Sequence, residues 1–263
     1  VAGFDRLAQS FYLVSTVVFS LVCFGIGVRL LWLSRRTGGA PERAIGLGVM
    51  LTGGFGYGLL IAVALHRALR PGPMTGELMA LAAAGWILHD TGVCYVLRFV
   101  VDVFEPEARW ARVLSILMMG VLWTGLTGYT AAGGLVDGRP EGFWYWLQFS
   151  ATGTYAAWAA VESFAYYGRM RRRLAFGLAD PVVTNRFLLW GLAAGGTVAA
   201  TWTISLPALL GLPGARSGHA LAPGFLTATA VIGIAAVTCY WLAFVPPRWY
   251  LARLAGRVPP AAA

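Results

Sequence analysis

The sequence predicts an all-α fold: a polytopic membrane protein in which seven transmembrane helices form a single bundle over residues 1–263. The N-terminus is expected outside and the C-terminus in the cytoplasm. Three observations carry this expectation. First, 58% of the 263 residues are apolar and only 12% are charged, with a mean hydropathy of +0.69, far from the habits of a soluble domain. Second, a hydrocarbon core about 30 Å thick takes about 20 residues of helix, and continuous apolar runs of that length recur at about 11–34, 44–69, 78–104, 113–136, 143–168, 187–211 and 225–245. Such runs do not alternate in polarity, so a closed β-barrel is excluded. Third, arginine changes sides with every run. Arg35, Arg36, Arg43, Arg109, Arg112, Arg169, Arg171, Arg172, Arg173, Arg186, Arg248, Arg253 and Arg257 fall on one side, against Arg6, Arg67, Arg70, Arg139 and Arg216 on the other. The richer side is the cytoplasmic one by the positive-inside rule.

The run at 11–34 exceeds the apolar core of a cleavable signal and lacks a small-residue cleavage site, so it is expected to stay as a helix. Val1 in place of Met suggests a processed or excised chain. The run at 44–69 contains "GFGYG", whose Gly54 and Gly58 stand four apart, as do Thr124 and Gly128 in the fourth run and Gly191 and Gly195 in the sixth. Small residues at that spacing let helix backbones approach where lipid supplies no hydrophobic drive, and they are read as packing seams.

The third run holds "WILHDTGVCYVLRFVVDVF", with His89 and Asp90 near mid-depth and Arg98 and Asp102 in its inner third. Ionised groups at such depth face the bundle and pair, because lipid exposure costs a few kcal/mol. Glu162 of the fifth run falls level with Arg98, so the expected pair is Arg98 with Glu162, with Asp102 one turn away as the competing partner. That pair would act as a switch between helix arrangements. At 100° per residue His89 points away from Asp90, and the two are not expected to form one cluster. A buried Asp90 beside His89 could nonetheless move protons.

The fifth run opens with Trp144, Tyr145 and Trp146, suited to the headgroup level, and carries Gln148, Tyr155 and Glu162 seven apart, with Thr152, Trp158 and Tyr166 alongside. This stripe should face inward. The sixth run adds Thr197, Thr201 and Ser205, followed by Pro207, and the seventh adds Thr227, Thr238, Tyr240 and Trp241. Together they predict a polar, aromatic-lined ligand cavity among the third, fifth, sixth and seventh helices, with Asp90, Gln148, Tyr155, Trp158, Thr201 and Tyr240 as binding residues, closed below by Arg98 and Glu162.

"RMRRRLAFGLADPVVTNRF" joins the fifth and sixth runs. It offers a cytoplasmic basic patch of Arg169, Arg171, Arg172 and Arg173, facing anionic lipid or a partner protein, then Asp180 and Pro181 as helix cap and first turn. After the seventh run, Pro246 and Pro247 stop the helix, and residues 246–257 are expected as an amphipathic segment in the membrane plane.

Several functions are excluded or unsupported. No Lys exists to form a retinal Schiff base, so a retinal protein is ruled out. His66, His89 and His219 sit at unequal depths, against haem ligation. Cys23, Cys94 and Cys239 are isolated inside apolar runs, which indicates neither disulfide nor zinc and leaves the metal set empty. The net charge of +9 is spread over short connections, not gathered on a soluble face, so nucleic acid is not an expected partner. Catalytic motifs are missing. The all-arginine usage fits a GC-rich bacterial genome.

Taken with the exit "AFVPPRWYLARL", the chain resembles the seven-helix membrane modules at the N-terminus of some bacterial sensor kinases and cyclases. The resemblance covers the whole chain as topology, and the topology is also similar to that of G-protein-coupled receptors. It implies a receptor-like sensor in the bacterial inner membrane, binding a small or lipidic ligand and signalling to a membrane or cytoplasmic partner protein. An output domain, which those proteins carry, is missing from this chain. Two other functions remain open. A small-molecule transporter would carry internal repeats, for which runs 1–3 and 5–7 show no convincing match. An accessory subunit of a larger complex would need no ligand of its own.

Overall fold

A computed structural model describes residues 2–70, 72–137, 142–212 and 223–255. Arg139, Arg216, His219 and Arg257 lie outside the described residues, as does the side chain of Arg6. The described chain is all-helical: α1 (Ala2–Thr37), α2 (Ala40–Val49), a π-helical segment (Met50–Gly56), α3 (Tyr57–Leu69), α4 (Gly76–Phe104), α5 (Arg109–Ala131), α6 (Gly134–Asp137), α7 (Phe143–Ala175), α8 (Pro181–Leu209), α9 (Pro223–Phe244) and α10 (Arg248–Ala255). Because α2, the π segment and α3 run on without a break, the long elements are seven rods.

Five of these rods are long and apolar enough to cross a membrane: Leu7–Thr37, Ala40–Arg67, Arg109–Ala131, Pro181–Leu209 and Pro223–Phe244. The chain is therefore a multi-pass membrane protein. Its outer surface agrees, since Leu7, Val14, Leu21, Ile116, Val161 and Val231 are all exposed, a density of bare aliphatic side chains that water does not tolerate. The two long rods outside this set, α4 and α7, carry His89, Asp90, Arg98, Asp102 and Glu162 and the aromatic-polar stripe.

Local chemistry explains where the rods begin and end. The Val182 and Val183 amides donate to Asp180 Oδ1 at 2.6 and 3.2 Å, with Pro181 at the first helical position, which bears out the expected cap. Thr75 Oγ1 accepts from the Leu78 amide to open α4. At the far end of α7, Gly177 adopts φ +70°. The Leu178 amide then returns to the Arg173 carbonyl at 2.9 Å and the Gly177 amide to Leu174 at 3.0 Å, a glycine stop of the Schellman type. Until that glycine nothing breaks the helix, so α7 continues through Arg169–Arg173 instead of ending near 168, and the basic patch is part of a helix.

Packing closes six rods into a ring. α1 lies between α9 and the α2–π–α3 rod; that rod leads to α4, α4 to α7, α7 to α8, and α8 back to α9. α5 stands outside the ring against α4 and α7. The core runs along α4, through Val93, Leu97 and Val100, and meets Ile26 of α1, Leu122 of α5, Ala159 of α7 and Trp190 of α8. Of the predicted small-residue seams, Gly54, Gly58, Gly128 and Gly191 fall inside this packing, whereas Thr124 is exposed and a Cβ on Gly195 would meet nothing within 4 Å. A Cβ on Gly54 would come 3.2 Å from Phe24 of α1, and one on Gly191 would come 2.8 Å from the Phe164 ring. α10 packs on α8, where Asn185 Nδ2 donates to Tyr250 Oη at 2.8 Å.

Candidate functional site

The site begins with two adjacent residues of α4. Asp90 is fully buried and His89 is 2% exposed, and His89 Nδ1 lies 2.9 Å from Asp90 Oδ1. From α7, Gln148 Nε2 donates to Asp90 Oδ2 at 2.8 Å, and Gln148 is itself 3% exposed. Both carboxyl oxygens are thus occupied, each by a side-chain nitrogen carried on a helix. The expectation that His89 and Asp90 would stay apart is corrected. The helical wheel places their Cβ atoms about 100° apart, but the imidazole folds back across the turn and closes that gap. Gln148, chosen as a stripe residue, proves to be the link between α4 and α7.

Close helix approach makes this geometry possible. A Cβ on Gly56, the last residue of the π segment, would stand 2.8 Å from His89 Cα, and one on Gly125 of α5 would stand 2.7 Å from the Gln148 amide nitrogen. Each backbone position of the polar pair is therefore backed by a glycine on a neighbouring rod. The π segment is also held from the other side, because Ser20 Oγ of α1 reaches the Gly53 and Gly54 carbonyls at 2.6 and 2.8 Å. A π turn releases carbonyls from the regular ladder, and Ser20 satisfies them where water cannot.

Three cavities meet at this point. The largest, about 180 Å³, is bordered by Tyr12, Tyr57, Trp86, His89, Tyr145, Gln148, Phe149, Thr152, Thr201, Ile204 and Ser205. A second of about 90 Å³ lies between α1, α8 and α9, and a third of about 40 Å³ reaches Tyr155, Trp190 and Tyr240. Tyr57 and Thr201 border all three. His89 packs its ring edge-to-face with Tyr57 at 5.3 Å and with Trp86 at 5.7 Å. Its Nε2 has no hydrogen-bond partner among the described residues. Trp190 Nε1 and Thr229 Oγ1 are buried without a partner among the described residues, each beside one of the smaller cavities.

Of the six expected binding residues, Gln148 lines the largest cavity, Tyr155 and Tyr240 the smallest and Thr201 all three. Asp90 stands behind the wall and acts through His89 and Gln148. Trp158 borders none of the three; its indole donates to Glu162 Oε1 at 3.1 Å and its ring lies 5.9 Å from Trp110. Ser205, expected in the polar lining, borders the largest cavity, and the residues missed from the sequence are Tyr57 and Trp86, together with the π segment that positions His89. The run "MLTGGFGYG" was the available signal for that segment, through its four glycines.

The expected Arg98–Glu162 pair does not form. Arg98 Nε instead lies 3.4 Å from Asp102 Oδ2 on the same helix, and the two side chains are 69% and 50% exposed. One helical turn brings these groups together with no helix movement, whereas Glu162 spends its oxygen on Trp158, also one turn away. The cavity is therefore closed below by Val96, Ala156, Ala159 and Ala194, not by charge. Arg169, Arg171, Arg172 and Arg173 are exposed at the end of α7, with the Arg169 guanidinium 5.1 Å from the Tyr166 ring centroid.

Compared with known protein families, with curated proteins and with solved structures, the chain matches none.

Proposed function

We propose that this chain is a receptor-like sensor of the bacterial inner membrane: seven spans, N-terminus outside, C-terminus cytoplasmic, with a small or lipidic ligand held among the helices and a partner protein receiving the signal. One observation carries the reading. A single helix, α7, presents Gln148 and Tyr155 to the cavities and ends in the exposed Arg169–Arg173 patch. A ligand that displaces Gln148 acts on the same rigid element that displays the patch, and a ligand shifts a conformational equilibrium only through such differential contacts. The switch is accordingly the Asp90–Gln148 link between α4 and α7. Burial of both partners favours two discrete arrangements, bonded or broken, over a continuum.

The two more polar rods, α4 and α7, also span in this reading: Asp90 and Gln148 face one another inside the ring, and Arg98 and Asp102 pair within one turn near the end of α4. The arginine asymmetry sets the orientation. Native mass spectrometry of the protein released from its own membrane tests the function. A co-released small molecule, lost in Gln148→Leu, is the result expected of the sensor. A stoichiometric second protein chain with no small molecule supports a subunit of a complex, and solute uptake by proteoliposomes supports a transporter.

A further inference from the structure

Taken as a span, α7 is too long for the bilayer it crosses. Its 33 residues extend about 50 Å at about 1.5 Å per residue, against a hydrocarbon core of about 30 Å. With Trp144, Tyr145 and Trp146 at the outer headgroup level, the core is used up near Tyr166. Ring contacts agree, because Tyr166 lies 5.7 Å from Phe104, where α4 ends, and 4.5 Å from Phe187 of α8. Phe176 follows ten residues later, about 15 Å along the axis, whereas the headgroup layer is only about 5–8 Å deep. A tilt of about 20° shortens that reach by about 1 Å. The turn joining α7 to α8 therefore stands in water.

That turn carries two bare apolar side chains. Phe176 is 79% and Leu178 76% exposed, on either side of Gly177, whose left-handed φ and returning amide bonds fix the turn. A Schellman stop commonly sets the residue after its glycine against an apolar side chain of the last helical turn, but Arg172 and Arg173 occupy those places here. Leu178 is left without a cover. Two residues on, the Asp180 cap starts α8, so hydrogen bonds hold both flanks of the turn and the apolar pair sits on a rigid mount. Charge surrounds it. Residues 169–186 contain five arginines and one carboxylate, Asp180, whose Oδ1 is engaged by the Val182 and Val183 amides. Arg171, Arg172 and Arg173 are exposed and step round the helix by about 100° each.

An apolar patch in water, rimmed by charge and held rigid, marks a protein contact. We infer that the α7–α8 turn docks a cytoplasmic protein through an acidic amphipathic segment, whose apolar side chains cover Phe176 and Leu178 and whose carboxylates meet the surrounding arginines. The inference deepens the sensor reading given above, in which α7 passes the signal to a partner, and rests on it. Lipid is the weaker occupant, since the pair stands past the headgroups of the membrane its own helices cross.

The test titrates the full chain, in neutral phosphatidylcholine nanodiscs, with a helical peptide that has leucine on one face and glutamate on the other, corrected with empty nanodiscs. Binding is expected to fall at least about tenfold in the Phe176→Ser, Leu178→Ser double variant and to weaken as salt rises. The same peptide with lysine in place of glutamate is expected not to bind. Both substituted side chains are exposed, so the fold is retained. No binding of the glutamate peptide, or equal affinity in the double variant, overturns the docking surface. So does attachment of the nanodiscs to phosphatidylglycerol vesicles that the double variant abolishes, which makes the turn a lipid anchor. Neither result touches the cavities, whose test is the co-released small molecule, so a failed dock is told apart from a failed sensor.

Discussion

Two aspartates twelve residues apart on α4 sit in opposite settings. Asp90 is fully enclosed, meets His89 on its own helix and accepts from Gln148 of α7. Asp102 is half exposed and meets only Arg98, four residues back. The first joins two rods, whereas the second joins nothing beyond its own turn. Burial decides what each is worth: a hydrogen bond to a charged group in a dry interior resists loss because its partner is left unsatisfied, while an exposed pair exchanges its partner for water or lipid headgroups at little cost. The buried carboxyl group thus marks architecture here, and the exposed pair near the helix end marks surface.

Removing each group in turn sharpens that contrast. Asp90→Ala strands the buried His89 Nδ1 and Gln148 Nε2, and unfolding in mixed micelles is expected to show a loss of about 3–5 kcal/mol. Gln148→Leu, which leaves Asp90 Oδ2 without its donor, should cost about 1–3 kcal/mol in the same measurement. Gly125→Ala forces a methyl to within 2.7 Å of the Gln148 backbone and is expected to cost about 1–3 kcal/mol through overpacking. It should also weaken the α4–α7 link, read as faster hydrogen exchange across residues 143–152. Arg98→Ala falls at the bottom of the order, at less than about 1 kcal/mol. A larger loss for Arg98→Ala than for Gln148→Leu would invert the comparison.

Much of the architecture was legible because its causes are local. Apolar runs of about 20 residues bounded by arginine anticipated the position of every long rod, and Asp180–Pro181 anticipated a helix start to the residue. The end of α7 was misjudged because charge was taken as the end of a helix, although arginine is a good helix former and only Gly177 stops the chain. Side-chain direction was the harder problem. A wheel diagram places Cβ atoms but not the reach of an imidazole, so the contact between His89 and Asp90 was lost. Depth alone matched Arg98 with Glu162, yet each found a partner one turn away on its own helix, where no second rod has to be positioned. The π segment had no periodic signature, and its role under His89 emerges only from three-dimensional packing.

The account turns on the Asp90–Gln148 bond as the buried link between α4 and α7. A double-mutant cycle with Asp90→Ala and Gln148→Leu, read by unfolding free energy in lipid nanodiscs, tests it most directly. A coupling of about 1–3 kcal/mol is predicted for partners in one buried network. Additivity to within about 0.5 kcal/mol, the behaviour of residues that do not touch, would contradict it.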